Sequence, residues 1–186
     1  MTVTLVVMGV SGVGKTSVAD ELVTATGWPF AEGDDFHPQA NRDKMAAGHP
    51  LDDDDRWPWL RRIADWIGEH EAAGESAVVT CSALRRAYRD LLRDGHPSVR
   101  FVHLIAPATL ISERITARRG HYMPPSLLQS QLATLEPLRD DEPGVDVDTS
   151  SDPAAVARAA LDQLGLPVGS PGGLAGADAG VDRAQP

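Results

Sequence analysis

The chain has 186 residues, 42% of them hydrophobic and 24% charged, which suits one globular domain and leaves too little length for two ordinary ones. With 27 acidic and 17 basic residues its formal net charge is −10, which argues against nucleic acid or an anionic membrane as partner. The single cysteine, Cys81, excludes an intrachain disulfide. With no cationic N-terminal segment and no apolar run of about 20 residues, we expect a cytoplasmic protein.

Strands and helices are predicted to alternate along the chain, which is typical of an α/β fold with a parallel sheet. Apolar runs predict five strands, at Thr2–Met8, Pro29–Glu32, Ser76–Cys81, Val99–Ile105 and Val145–Asp148. Helical periodicity predicts seven helices, at Thr16–Thr26, Gln39–Ala47, Arg56–Ala73, Leu84–Arg93, Ala108–Arg118, Ser126–Leu135 and Pro153–Leu164. Residues 1–166 are expected to form one domain. Residues 167–186 are rich in Gly and Pro, which predicts a disordered tail.

The turn after the first strand matches G-x-x-x-x-G-K-[ST], the phosphate-binding loop, in its required place between a strand and a helix. Its glycines let backbone N–H groups point at phosphate oxygens, and the following helix adds the positive end of its dipole. Lys15 is expected to reach the β- and γ-phosphates of ATP, and the Thr16 hydroxyl to bind Mg²⁺. The predicted nucleotide-binding residues are Gly9, Val10, Ser11, Gly12, Val13, Gly14, Lys15 and Thr16.

Two large classes of phosphate-loop protein lack their signatures here. GTPases need Asn-Lys-x-Asp after a strand, whereas the nearest string, residues 41–44, scrambles that order inside a predicted helix. Motor-type ATPases need a strand that ends in an acid, and neither the third nor the fourth predicted strand does. The length of the chain and these two absences favour a kinase that acts on a small molecule.

An acid follows the second predicted strand, where the acceptor of such a kinase is expected to lie. Ligands of a doubly wound sheet bind beyond the carboxyl ends of its strands, which predicts a position for Asp34 beside the γ-phosphate. We expect Asp34 to orient the acceptor hydroxyl and to take its proton. Glu32, acting through a water molecule, stays an alternative for the same task.

Longer motifs around this acid carry a specific resemblance. They are Gly33-Asp34-Asp35-Phe36-His37-Pro38, residues 50–60 (PLDDDDRWPWL), residues 81–93 (CSALRRAYRDLLR), Arg118-Arg119-Gly120-His121 and residues 128–136. With these motifs the chain resembles the thermoresistant-type gluconokinase family from about Leu5 to Leu164. We therefore expect a P-loop kinase fold, with a five-stranded parallel sheet in the order 2-3-1-4-5, flanked by helices, and a mobile lid near residues 119–126.

The resemblance implies ATP-dependent phosphorylation of D-gluconate at its 6-hydroxyl, giving 6-phosphogluconate, and a homodimer. An anionic polyol of this kind needs cations for its carboxylate and hydrogen-bonding groups for its hydroxyls, and an arginine fork is the first choice for the carboxylate. The candidates on segments expected to line the acceptor cleft are Arg56, Arg85, His37 and Lys44.

The acidic run at residues 52–55 invites a metal-site interpretation, which we reject because four consecutive carboxylates cannot converge on one ion. Asp54 or Asp55 is expected instead to support the N-terminus of the next helix, and one of them to brace Arg56.

The spacing Arg-x-x-x-Arg-Arg before Gly120 resembles the lid entrance of adenylate kinases. It implies that Arg114 stacks on adenine and that Arg118 grips phosphates and neutralises the migrating charge, with Arg119 as a further candidate. His121 is a candidate for touching the substrate when the lid closes.

Two rival functions stay open at this point. A kinase of the same fold that acts on shikimate or a nucleotide is disfavoured, because neither family carries the string from His37 to Arg56. A regulatory nucleotide-binding switch would bind and slowly hydrolyse nucleotide without acceptor-dependent turnover.

Overall fold

The computed structural model describes residues 2–117 and 125–167. Its five strands are β1 (Thr4–Met8), β2 (Phe30–Ala31), β3 (Ala77–Thr80), β4 (Val99–Ile105) and β5 (Gly144–Asp148). Its seven α-helices in those ranges are α1 (Lys15–Thr26), α2 (Gln39–Ala46), α3 (Asp53–Ala73), α4 (Arg86–Arg93), α5 (Ala108–Ala117), α6 (Pro125–Thr134) and α7 (Pro153–Gln163). Most of the predicted lid and residues 168–186 of the predicted tail lie outside the described residues, so both stay predictions.

All five strands are parallel and lie in the order β2-β3-β1-β4-β5, which confirms the predicted sheet. The central strand β1 pairs with β3 on one side and with β4 on the other, and Met8 at its end lies beside His103. The phosphate loop therefore leaves the sheet at its centre, between the ends of β3 and β4. This is the switch point at which a doubly wound sheet binds ligands.

Two apolar layers cover the faces of the sheet. Residues of α1 and α7, with Leu22 and Leu161 fully buried, pack on one face, and residues of α3 and α4, with Ile63 and Leu92 fully buried, pack on the other. No helix in the described ranges is both long and apolar enough to cross a bilayer. Because both faces are covered, the exposed carboxyl edge of the sheet is left for the site.

The helix α3 begins at Asp53, three residues earlier than predicted, because a capping box stabilises its first turn. The Asp52 carboxylate accepts a hydrogen bond from the Asp55 N–H at 3.0 Å, and the Asp55 carboxylate accepts one from the Asp52 N–H at 2.9 Å. Of the two acids expected to support this helix, Asp55 does so, and Asp52 is its partner. The acids also place Arg56 on the first turn of the helix.

A buried ion pair ties the start of α4 to the segment after α6. The Arg89 guanidinium donates to both carboxylate oxygens of Glu142, at 2.5 and 2.9 Å, and neither side chain is exposed to solvent. Arg89 also donates to the carbonyls of Ala83, at 3.2 Å, and Glu136, at 3.0 Å. Since Ala83 has a left-handed backbone with φ of 43°, these bonds help to hold a strained turn between β3 and α4.

Burial alone would raise the pKa of Glu142, but the hydrogen bonds from Arg89 and from the Arg139 N–H outweigh it and hold the pKa below its ordinary value. Glu142→Gln leaves a buried guanidinium without its counterion, so we expect the free energy of unfolding to fall by about 3–5 kcal/mol. Urea denaturation measures this loss. Asp141→Asn, one residue away in an exposed ion pair with Arg86, is the matched control and should cost far less.

The contribution of Glu142 also depends on pH. With its pKa depressed in the folded chain, the carboxylate stabilises the fold above its unfolded-state pKa, and this stability is lost as the pH falls through the folded value. The difference between the wild type and Glu142→Gln should therefore shrink below about pH 4. A difference that stays constant down to acid unfolding would contradict this assignment.

Candidate active site

The phosphate loop has the backbone geometry that its glycines permit. Gly9 and Gly12 have φ of 139° and 81°, in the left-handed region that other residues avoid. A Cβ atom on Gly12 would lie 2.5 Å from the Ile115 side chain, and one on Gly9 would lie 2.9 Å from the Leu104 carbonyl oxygen. Both glycines are thus required by conformation and by space, and the loop opens onto the N-terminus of α1.

The two side chains expected to act on phosphate and metal lie at this loop. The Lys15 ammonium donates to the carbonyls of Gly9 and Val10, both at 3.1 Å, so it folds back over the loop. The Thr16 hydroxyl donates to the Glu32 carboxylate at 3.0 Å. An alcohol and a carboxylate oxygen side by side are the hard ligands that Mg²⁺ prefers, so the residues present fit this ion.

A contact from α6 to the phosphate loop was not predicted from the sequence. The Gln131 side-chain oxygen accepts a hydrogen bond from the Ser11 N–H at 2.7 Å. The signal was present in the sequence, since Gln131 lies in one of the motifs that carry the resemblance, at residues 128–136. The Gln131 side chain thus uses the hydrogen bond that the Ser11 N–H of the phosphate loop can donate, and it links α6 to the site.

Packing around Gly33 fixes the acids after β2. A Cβ atom on Gly33 would lie 1.9 Å from the Thr80 carbonyl oxygen, so only glycine fits against the end of β3. The Gly33 N–H donates to the Thr80 hydroxyl at 3.0 Å, and the Trp59 indole donates to the Gly33 carbonyl at 2.7 Å. The Thr80 hydroxyl in turn donates to Glu32. Glu32 is thereby directed at Thr16.

The predicted base, Asp34, lies in a 3₁₀ turn (Gly33–Phe36), with 84% of its side chain exposed. His37 Nε2 is 3.9 Å from its carboxylate, and the His37 ring stacks on Trp59 with 4.3 Å between centroids. The Asn41 amide nitrogen, which donates to the Asp55 carbonyl, faces His37 Nδ1 at 3.2 Å. Since an amide nitrogen donates, His37 Nδ1 is the acceptor, and the proton of the neutral ring lies on Nε2, 3.9 Å from the Asp34 carboxylate.

Burial lowers the pKa of His37, and Arg42 and Arg56 lower it further, although the Asp34 carboxylate opposes them. The imidazole is therefore neutral at pH 7.

Cys81 lies fully buried at the end of β3, and burial raises the pKa of its thiol to about 12. The thiol is therefore packed and unreactive.

Two predicted carboxylate-binding residues converge. Arg56, on α3, donates to Asp53 at 3.3 Å and to the Tyr88 hydroxyl at 3.1 Å. Arg85, just before α4, donates to the other Asp53 oxygen at 2.8 Å. Both guanidinium carbons lie within 6 Å of the Tyr88 ring centre, at 5.7 and 5.9 Å. Asp53, rather than Asp54 or Asp55, is thus the acid that braces Arg56.

Lys44, expected at the acceptor, has other partners. Its ammonium contacts Asp52 at 3.0 Å and also bonds Asp55, which raises the pKa of Lys44. Lys44 therefore offsets part of the negative charge of the capping box of α3. Within the described ranges no group of three or more acidic, histidine or cysteine side chains could hold a metal ion.

A cleft of about 430 Å³ runs from the phosphate loop towards the start of α7. Arg114, on α5, lines it, and its guanidinium donates to the Val13 carbonyl at 3.0 Å and to the Thr149 hydroxyl at 2.9 Å. Thr149 belongs to the loop that follows β5. Arg114 thus joins that loop to the phosphate loop. Arg118, Arg119 and His121 lie outside the described residues.

Comparison with known proteins agrees with this geometry. A family model described as an AAA domain matches residues 5–138. The gluconokinase of Gluconobacter oxydans is 52% identical over 152 residues, which are 82% of this chain and 85% of that protein. The solved structure of a sugar kinase from Janibacter sp. HTCC2649 matches with a TM-score of 0.84 at 51% identity, over 89% of this chain and 96% of that one. A gluconokinase from Sinorhizobium meliloti 1021 matches with a TM-score of 0.79 at 48% identity, over 88% and 91%.

A pair of glycine substitutions tests the phosphate cradle. Gly12→Ala combines backbone strain with a clash against Ile115, whereas Gly27→Ala, at φ of 71° with nothing within 4 Å, carries the strain alone. Each should lower the free energy of unfolding by about 1–2 kcal/mol. Only Gly12→Ala should weaken ATP binding, by about tenfold or more, which corresponds to a loss of about 1.4 kcal/mol. Calorimetry measures the affinity, and equal ATP affinity in the two variants would contradict the assignment.

Proposed function

The chain belongs to the gluconokinase family, and we propose that it transfers the γ-phosphoryl group of ATP to the 6-hydroxyl of D-gluconate, giving 6-phosphogluconate and ADP. The observation that carries this proposal is the juxtaposition, at one edge of the sheet, of a phosphate loop, an exposed acid and a pair of arginines. The high identity to named gluconokinases over most of the chain supports the same acceptor.

ATP binds with its phosphates in the phosphate loop of residues 9–16, on backbone N–H groups other than that of Ser11, which bonds Gln131. Its adenine lies in the cleft lined by Arg114. Lys15 leaves its loop carbonyls to reach the β- and γ-phosphates. Thr16 and Glu32 would hold the Mg²⁺ ion, which would neutralise phosphate charge when bound. The 3.0 Å hydrogen bond between Thr16 and Glu32 supports this pairing, since it brings the two oxygens to one point.

Asp34 orients the 6-hydroxyl of gluconate and accepts its proton as the acceptor oxygen bonds to the γ-phosphorus and the bond to ADP breaks. Its high exposure and the nearby Nε2–H of His37 support this role, because the carboxylate is accessible and has a neutral donor beside it. Glu32 is less suited to take the proton, since Thr16 and Thr80 both donate to it.

The carboxylate of gluconate lies against Arg85 and Arg56, and His37 contributes a hydrogen bond to the sugar or to Asp34. Arg118 neutralises the migrating phosphoryl group, and His121 contacts the substrate from the lid; both roles rest on the family resemblance. Most of the acceleration then comes from positioning and electrostatics.

We also infer a homodimer and a cytoplasmic location. The family resemblance supports the dimer, and a single buried cysteine suits a reducing compartment. Light scattering should give twice the chain mass of 19.8 kDa. A mass equal to one chain would contradict the dimer.

Substitution of the proposed base tests the function directly. Asp34→Asn keeps the size of the side chain but cannot accept the proton, so we expect gluconate-dependent kcat to fall by about 100-fold or more. ATP affinity should not change, because Asp34 lies on the acceptor side. Asp35→Asn, an exposed acid in the same 3₁₀ turn, is the matched control. Equal losses in both variants, or full activity of Asp34→Asn, would contradict the role of Asp34.

A further inference from the structure

Asp53 lies between the two arginines proposed to hold the acceptor. One of its oxygens accepts hydrogen bonds from the Tyr88 hydroxyl at 2.5 Å and from Arg56 at 3.3 Å, and the other accepts one from Arg85 at 2.8 Å. Tyr88 is buried, with 2% of its surface exposed. A protein carboxylate thus lies between the same two cations that are proposed to bind the substrate carboxylate.

The group remains open to solvent in spite of these contacts. The side chains of Arg56, Asp53 and Arg85 are 25%, 40% and 42% exposed. A guanidinium has five N–H donors, so an arginine that bonds Asp53 through one nitrogen has others with which to bind an anion. A ligand can therefore join the group without displacing Asp53.

The charge of the group follows from its members. Hydrogen bonding from Tyr88 and the charges of Arg85 and Arg56 hold the pKa of Asp53 below its ordinary value, so the carboxylate is ionised at neutral pH. Two guanidinium ions and one carboxylate give a net charge of +1. A singly charged carboxylate neutralises this charge, whereas a doubly charged phosphate leaves an uncompensated negative charge in a half-buried site.

We propose that Asp53 is a specificity-determining residue, which limits the acceptor site to a net charge of +1 and so selects sugar monocarboxylates over polyols that carry a dianionic phosphate. This inference rests on the proposed function, because it takes Arg56 and Arg85 as the carboxylate-binding pair. A kinase whose product carries a phosphate benefits from such selection, since it keeps phosphorylated sugars out of the acceptor site.

Calorimetric binding of two open-chain ligands tests the proposal without requiring turnover. At pH 7.5 gluconate carries one negative charge on its carboxylate, and a hexitol 1-phosphate carries nearly two on its phosphate, at the corresponding end of the chain. Asp53→Asn should improve the affinity for the hexitol phosphate relative to gluconate by about tenfold or more, a shift of about 1.4 kcal/mol. Asp53→Glu, which keeps the charge, should leave this ratio close to the wild-type value.

Asp54→Asn is the matched control, since it removes the same charge from the same helical turn while no described residue bonds its exposed side chain. A purely structural role for Asp53 would weaken both ligands alike, so an unchanged ratio in Asp53→Asn overturns the proposal, as does an equal rise in Asp54→Asn. If gluconate turnover is intact but the affinity ratio of the two ligands is unchanged in Asp53→Asn, this inference fails and the proposed function stands. Failure of the wild type to bind gluconate overturns the proposed function as well.

A measurement on the wild type covers the case in which Asp53→Asn does not fold. The second pKa of a phosphate monoester is about 6, so the hexitol phosphate passes from one charge to two between pH 5.5 and pH 7.5. Its affinity should fall by about 20-fold across this range, as the singly charged form becomes scarce. Gluconate keeps a single negative charge throughout this range, so any change in its affinity reports the titration of protein groups such as His37. Parallel changes for the two ligands would overturn the proposal.

Discussion

The contact between Gly33 and the end of β3 is the constraint on which the active site depends. With 1.9 Å between the Thr80 carbonyl oxygen and the place of a Cβ atom, no other residue fits there. The Thr80 hydroxyl bonds the Gly33 N–H and Glu32, and Trp59 holds the Gly33 carbonyl. These bonds direct Glu32 to Thr16 and leave Asp34 exposed, where we propose that it meets the acceptor. One glycine thus separates the tasks of two acids.

Charge is the second constraint, because a chain with a net charge of −10 must bind two anions. The phosphate loop meets the first with N–H groups and Lys15, so it needs little net charge. Arg56 and Arg85 are proposed to bind the second anion, and both are already partnered by Asp53. Arginine clusters without counterions would attract phosphorylated metabolites in general. Counterions built into the site therefore favour selectivity over affinity.

The sequence predicts the fold well where local patterns carry the information. The phosphate loop and the five strands follow from glycine spacing and apolar periodicity, whereas the order of the strands follows from the family resemblance. The early start of α3 is the main error in element bounds. Asp52 and Asp55 form a capping box whose spacing is visible in the sequence. The predicted helix nevertheless began at Arg56, which left the acidic run of residues 52–55 outside the helix. The site is less predictable, because its contacts join segments far apart in the chain. The partners of Lys44, the brace at Asp53 and the bond from Gln131 to Ser11 depend on side-chain directions that no periodicity encodes.

The most direct test of this account is ADP release from ATP and Mg²⁺ with a panel of acceptors. The panel contains gluconate, other sugar acids, shikimate and AMP, with a reaction lacking acceptor as the blank. The account predicts turnover well above the blank with gluconate, and none with shikimate or AMP. ADP release with gluconate that equals the blank would contradict it and leave only a nucleotide-binding site at residues 9–16.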